Sequence, residues 1–276
     1  MTEVVRQPLE EQVAASLASC ANPRLRQVLG AVVSHLHQAI REVGLTEAEW
    51  AEAVRFLTET GQMCVGGRQE FILLSDVLGI SMLVDELNHP ADDRHLSEST
   101  VLGPFYTGEQ PILPDGASIL KREEPECPAL FVAGCVRDRA GRPVSNALVE
   151  VWQTAPNGLY DVQDAEQPQG HLRASFRTDK HGRYSFETIL PVSYSIPTDG
   201  PVGALLGALA RSPWRPAHVH FRVSAADCRT LVTHLFIAGD SHLASDAVFG
   251  VKPSLIVTPE ADQTGHLAIA ANFALA

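Results

Sequence analysis

Pro213-Trp214-Arg215-Pro216-Ala217-His218-Val219-His220-Phe221-Arg222-Val223 is the stretch on which the reading of this chain turns. Its apolar residues, Val219, Phe221 and Val223, alternate with polar ones, which is the period of a β-strand. In a strand, residues two apart share a face and their Cα atoms lie roughly 6.5–7 Å apart. One face therefore buries the three apolar side chains, while His218, His220 and Arg222 share the other. Two imidazoles converging from one strand can bind a metal with little rearrangement. A pair of polar residues on a solvated sheet face would leave the same pattern, so the stretch alone keeps both readings open. His35-Leu36-His37 serves as an internal control. It lies in a helical pattern, where residues two apart do not face each other, and reads as ordinary helix surface.

Outward from this strand the period of two continues. Leu130 to Val136, Ala147 to Thr154, Arg183 to Ile189, Leu231 to Ile237 and Leu255 to Val257 alternate or are β-branched, with turns at Asp138-Arg139-Ala140-Gly141 and Asp179-Lys180-His181-Gly182. Short strands with little helix predict a sandwich of mainly antiparallel sheets. The first hundred residues read differently. Leu25, Val28, Leu29, Val32, Val33, Leu36, Ile40 and Val43 recur at three- and four-residue steps, and Thr46 with Glu49 makes a capping box ahead of Trp50. A third stretch, Gln69 to Leu87, is apolar on most sides and reads as one helix that something must cover: the following domain, a second subunit or a lipid-like ligand. Between them, Leu102 to Pro128 is Pro- and Gly-punctuated and reads as a linker or extended arm. The expected class is α+β, with a helical domain over residues 1–100 and a β-sandwich over 101–276.

Composition narrows the function. A net charge of −12 over 276 residues disfavours nucleic acid and anionic membrane surfaces as partners. The start, Met1-Thr2-Glu3-Val4-Val5-Arg6-Gln7, has no signal pattern, and no run of about 18 apolar residues occurs. Cys20, Cys64, Cys127, Cys135 and Cys228 are scattered and odd in number, as expected of reduced thiols in a cytoplasmic protein.

Further metal ligands must come from the same sandwich. Tyr160 follows Gly158-Leu159 on a loop, and Tyr194 sits in a stretch flanked by prolines, Pro191 to Pro197. Either could instead pack its ring and bond its hydroxyl to backbone. A phenol, with a pKa near 10, binds well only to a cation acidic enough to ionise it. A site of two His and two Tyr therefore suits Fe(III), whereas zinc prefers Cys, His and carboxylate, and Fe(II) oxygenases use two His and one carboxylate.

With these residues the chain resembles the intradiol ring-cleavage dioxygenases, ferric enzymes that open catechol-type rings between the hydroxylated carbons. The resemblance is carried by Val149-Glu150-Val151-Trp152-Gln153-Thr154, Gly158-Leu159-Tyr160-Asp161, Leu172-Arg173-Ala174-Ser175-Phe176, Tyr194-Ser195-Ile196-Pro197-Thr198-Asp199-Gly200-Pro201 and Trp214-Arg215-Pro216-Ala217-His218-Val219-His220, in that order. It implies one Fe(III) per subunit held by Tyr160, Tyr194, His218 and His220. It also implies a homodimer joined through the N-terminal helices, often around a bound lipid. Tyr194 would be the departing ligand and base, and Arg215 would stabilise developing negative charge.

Glu98-Ser99-Thr100-Val101-Leu102-Gly103-Pro104-Phe105-Tyr106 and Asp246-Ala247-Val248-Phe249-Gly250-Val251-Lys252 look like the branch acting on hydroxyquinol, benzene-1,2,4-triol, which yields 3-hydroxy-cis,cis-muconate and then maleylacetate. So does His234, where catechol enzymes carry glutamine; it would polarise the reacting oxygen rather than bind iron. The same matching puts Val101, Leu102, Gly103, Pro104, Phe105, Ile196, Pro197 and Val248 around the substrate, with Leu74 and Val77 closing the pocket. Leu102 replaces an expected aromatic residue. Three other readings stand beside this one: a catechol or chlorocatechol 1,2-dioxygenase, a non-catalytic transthyretin-like sandwich module, and a zinc hydrolase using His218, His220 and His234 with Asp240 or Asp246.

Overall fold

The computed structural model describes residues 7–90, 95–108, 110–261 and 266–276. The first six residues, read above for a signal pattern, lie outside them. The chain divides into two compact units, Met1–Thr58 and Glu59–Ala276.

The helices are α1 (Leu9–Ser16), α2 (Pro23–Val43), α3 (Glu47–Gln62), α4 (Glu70–Val77) and α5 (Ile80–Asn88). α2 is well terminated. Asn22 Oδ1 accepts from the Leu25 N–H at 3.0 Å, Pro23 opens the first turn, and Gly44 closes the helix in the left-handed region. The capping box before α3 forms as expected: Thr46 N–H donates to Glu49 Oε2 at 2.8 Å and Glu49 N–H to Thr46 Oγ1 at 3.3 Å. The single helix expected over Gln69 to Leu87 is instead two, α4 and α5. Gly79, at φ 72°, adopts the left-handed conformation between them. Each helix has a buried and an exposed apolar side: α4 turns Leu73, Leu74 and Val77 inward and leaves Phe71 and Ile72 exposed, while α5 buries Met82 and leaves Leu83, Val84 and Leu87 exposed.

The sandwich follows. Its strands are β1 (Ala129–Asp138), β2 (Leu148–Trp152), β3 (Arg173–Arg177), β4 (Arg183–Ile189), β5 (Tyr194–Ser195), β6 (Trp214–Arg215), β7 (His218–Ser224), β8 (Leu231–Ile237), β9 (Ile256–Val257), β10 (Glu260–Ala261), β11 (Leu267–Ala270) and β12 (Phe273–Leu275), with helix α6 (Pro201–Ala208) before β6. One sheet runs β10-β11-β1-β12 with β4 on the other side of β1; the second runs β3-β2-β7-β8-β9; β5 and β6 form a separate ribbon. Most ladders are antiparallel, but β11 and β12 pair parallel to β1, and β9 parallel to β8. The core between the sheets is a run of aromatic contacts: Phe176 on Phe186 at 5.2 Å, Phe186 on Phe221 at 6.4 Å, and Phe221 on Phe273 at 5.0 Å between ring centroids. The segment before β1 is an arm rather than a free linker. Leu113 N–H bonds the Ser175 carbonyl at 2.8 Å and Ile119 N–H the Glu187 carbonyl at 3.0 Å, burying Ile119 in the core.

Candidate active site

β7 is buried on both faces. Val219, Phe221 and Val223 enter the core, while His218 and His220 are 3% and 2% exposed on the opposite side. The solvated-face reading is thereby closed. Register supplies the neighbours. Trp152 of β2 stands opposite His220, and β8 places His234 opposite His220 and Phe236 opposite His218. The Trp152 indole stacks on the His220 ring at 4.7 Å and 14°.

Both tyrosines reach the same point from different elements. After β2 the chain turns back at Ala155–Gly158, with Gly158 N–H on the Ala155 carbonyl at 2.9 Å. Gly158 has φ 77°, and a Cβ there would lie 3.1 Å from Tyr194 Cβ, so glycine satisfies both the turn and the close approach. This delivers Tyr160. Tyr194 lies on β5, whose partner residue on β6 is Arg215.

The polar atoms form a closed ring. Tyr160 Oη is 3.3 Å from Tyr194 Oη and 2.9 Å from His220 Nε2; His220 Nε2 is 3.1 Å from His218 Nε2. Arg215 closes it, with Nη1 3.3 Å from His218 Nε2 and 3.5 Å from Tyr194 Oη. Ligands at the usual metal–nitrogen distance of about 2.0–2.1 Å and at right angles are themselves about 3 Å apart, so the donor spacing fits one ion. His218 is also committed to a tautomer. Its Nδ1 lies 2.6 Å from the Pro216 carbonyl, which only accepts, so Nδ1 carries the proton and Nε2 presents a lone pair inward. His218, His220 and His234 form the metal-capable histidine group of the described residues.

Burial sets the electrostatics. It pushes the Tyr160 phenol well up, aided by Tyr194. It lowers His218 to about 3, helped by the Arg215 charge, and drives His220 and His234 down likewise, so all three rings are neutral. Burial opposes the charge on Arg215, but Asp246, Tyr194 and Tyr160 together outweigh it and raise the pKa. Asp246 Oδ1 accepts from Arg215 Nε at 3.0 Å, and Asp246 also receives the Gly250 N–H at 2.9 Å. Asp240 accepts the Ala217 and His242 N–H groups, each at 2.8 Å. Both carboxylates of the zinc-hydrolase reading are thus occupied elsewhere.

The substrate-side residues distribute as follows. Phe105 stacks on Tyr160 at 4.6 Å, and a Cβ on Gly103 would lie 3.3 Å from His220 Cε1. Val101, Ile196 and Val248 are buried, Pro104 and Pro197 half-buried, and Leu102, 38% exposed, lies at the surface. Leu74 and Val77 face inward from α4. Arg211 joins that helix to the Val248 loop, donating to the carbonyls of Val77 at 2.5 Å and Ala247 at 3.1 Å. A cavity of about 600 Å3 lined by Ser97, Arg137, Arg229 and Lys252 lies apart from all of these residues.

Sequence reasoning passed over several supporting groups. Asp161 and Arg173 form a buried ion pair, and Arg173 Nη1 also donates to the Phe105 carbonyl at 3.1 Å, tying the Tyr160 loop to the Phe105 loop. Asp76 on α4 is buried, and within electrostatic range of Arg215. Thr100 Oγ1 is 3.1 Å from His234 Nδ1, while His234 Nε2 is 2.7 Å from His220 Nδ1. Pairings this long-range leave no local sequence signal.

Residues 22–95 match the family description "Catechol dioxygenase N terminus" and residues 101–275 the description "Dioxygenase". A hydroxyquinol 1,2-dioxygenase of a Rhizobium species is 48% identical, the alignment covering 89% of this chain and 83% of that one. A 6-chlorohydroxyquinol 1,2-dioxygenase of Cupriavidus pinatubonensis is 48% identical over 93% of this chain and 92% of its own. Among solved structures, a hydroxyquinol 1,2-dioxygenase from Pseudomonas putida superposes with a TM-score of 0.88 at 45% identity, covering 96% of each chain. The matches set aside the non-catalytic sandwich reading, and with the fold and the ring of Tyr and His donors they lead to one conclusion: this chain belongs to the intradiol ring-cleavage dioxygenases.

Proposed function

We propose that the protein is a ferric hydroxyquinol 1,2-dioxygenase, opening benzene-1,2,4-triol with O2 to 3-hydroxy-cis,cis-muconate, which tautomerises to maleylacetate. The observation that carries the metal is the ring of donors from Tyr160, Tyr194, His218 and His220 at 2.9–3.3 Å. Two phenolates and two neutral imidazoles suit a hard trivalent cation better than zinc. The substrate assignment is supported by relatives of nearly half identity whose names specify hydroxyquinol or its chloro derivative.

Bound Fe(III) would supply the Lewis acidity that ionises the diol and the redox partner that makes the ring reactive toward O2. The chain's own groups do the rest. Tyr194 Oη takes a proton from the diol. Arg215, held by Asp246 beside Tyr194 and His218, stabilises the negative charge that develops on the substrate. Phe105, Val101, Ile196 and Val248 exclude water and orient the ring; Leu74 and Val77 close the far wall. Asp161 and Arg173 hold Tyr160 and Phe105 together as the site changes charge.

We assign dimerisation to residues 1–100 and chemistry to 101–276, with α4 lending wall residues. The exposed stripe of α2, including Leu29, Val32 and Leu36, supports a second copy of the chain as its cover; the lipid implied by the resemblance is not carried into this proposal. None of the described helices is long and apolar enough to cross a membrane, and the five cysteines are all free, which supports a reducing, cytoplasmic setting.

A visible spectrum with metal analysis tests the metal. One iron per subunit and a red-brown charge-transfer band are expected; a colourless zinc protein would overturn the assignment. Turnover of the triol and of catechol side by side tests the substrate. A preference for catechol would favour the catechol or chlorocatechol reading while leaving the reaction intact.

A further inference from the structure

His218 and His220 differ in what stands behind them. Behind His218 is a backbone carbonyl, which fixes its tautomer whatever the side chains do. Behind His220 is the side chain of His234, and behind that the hydroxyl of Thr100, all three buried. Imidazole and hydroxyl can each donate or accept, so this chain of contacts has two self-consistent arrangements with the same number of protons.

In the first, His220 Nδ1–H donates to His234 Nε2, His234 Nδ1–H donates to Thr100 Oγ1, and His220 Nε2 turns a lone pair toward Tyr160 and His218. In the second every bond is reversed. Thr100 donates to His234, His234 Nε2–H donates to His220 Nδ1, and His220 Nε2 carries a hydrogen pointing into the site. Only the first can bind a metal through Nε2. The second is favoured by the 2.9 Å approach of Tyr160 Oη, an acceptor for that hydrogen.

We propose that Thr100 and His234 are positioning residues that hold His220 in the tautomer whose Nε2 faces the metal, and so set how tightly the site retains it. The inference rests on the reading of His220 as a ligand. Both nitrogens of His234 are engaged, one by His220 and one by Thr100, which leaves it behind the ligand ring. A hydrogen-bond acceptor at this position is what the arrangement requires. A glutamine there would meet the need through its amide oxygen; an apolar residue would strand the buried His220 N–H and favour the wrong tautomer.

The test uses the iron-loaded enzyme and follows loss of its visible band to an excess of a hydroxamate chelator. His234→Leu is expected to weaken iron retention roughly 10–100-fold, the range for loss of a group that orients a metal-bound histidine. Thr100→Val should weaken it about three- to tenfold, and His234→Gln should stay close to wild type. A merely structural role would lower the melting temperature of the metal-free variants and leave iron retention unchanged. Wild-type retention in His234→Leu overturns the proposal. Should that variant not fold, wild-type retention in Thr100→Val, or a loss in His234→Gln as large as that in Thr100→Val, overturns it instead. A wild-type protein that takes up no iron would sink the ligand reading, an outcome distinct from all of these.

Discussion

The β7–β8 face and the apolar stripe of α2 are the two proposed binding regions, and they are specified to different degrees. On β7 the donors are buried, their rings are pinned by Trp152 and Phe236, and the charges beside them are compensated by Asp246 on Arg215 and Asp161 on Arg173. The four donors converge at 2.9–3.3 Å from one another on a buried, braced framework, the condition for a site that binds one species in one way. On α2 nothing converges. Val32 and Leu36 are 49% and 55% exposed along a stripe of like residues, and the surface is specified only as apolar. The first region recognises through atoms placed within tenths of an ångström; the second through area. Losing one atom should therefore be catastrophic in the first and incremental in the second.

The largest effect tests this directly. Tyr160→Phe deletes a single oxygen and keeps the ring on Phe105. Activity should fall to background and most of the visible band should vanish. An unchanged spectrum would show that Tyr160 is no ligand and that the site is less tightly specified than its geometry implies. Next comes Arg215→Ala, which removes charge from beside Tyr194 and His218. Turnover should drop about 10²–10³-fold, the usual cost of a group aimed at developing charge, with the iron colour retained. Loss of iron instead would make Arg215 part of the scaffold that assembles the donors.

How far each region was legible follows the same division. The His218–His220 pair and Tyr160 beside Gly158 sit in short local patterns, so residue type and period were enough to nominate them, whereas the role of Arg215 came only with the family resemblance. The helical stripe and the Thr46–Glu49 box were local as well. What escaped was whatever depends on a partner distant in the chain. Thr100 meets His234 across 134 residues and Arg173 holds the Phe105 carbonyl across 68. β11 and β12 add to β1 in parallel from the far end of the chain. Gly79 did carry a signal for the α4–α5 break, but the apolar run around it has no periodicity that a turn would visibly interrupt.

For the helical face the expected loss is smaller and of another kind. Val32→Glu places a charge in the middle of the α2 stripe. If a second copy covers it, dimer dissociation should become easier by roughly 10–30-fold, as for loss of a central interface side chain, while the iron band and the turnover per subunit stay the same. Sedimentation across a concentration series reads the change. A wild-type protein that is monomeric throughout would remove the second copy as the cover of this face.

The smallest effect blurs the division between the two regions. Asp76 belongs to α4, in the helical part of the sequence, yet it is only 2% exposed and lies within electrostatic range of Arg215. Burial raises its pKa, against the opposing hydrogen bond from Ser81 and the Arg215 charge. On α4 it shares a face with the buried Leu73 three residues before it, and this face lies within range of Arg215, so Asp76 is a polar group that α4 can offer a third ring hydroxyl, which catechol lacks. Asp76→Asn keeps the size and removes the strongest acceptor. It should lower kcat/KM for the triol about tenfold, the value of a hydrogen bond to a charged group, and leave that for catechol nearly unchanged. Equal losses on both substrates would mean that Asp76 acts only through Arg215. A selective loss would mean that α4, though it belongs to the helical part of the sequence, helps choose the substrate.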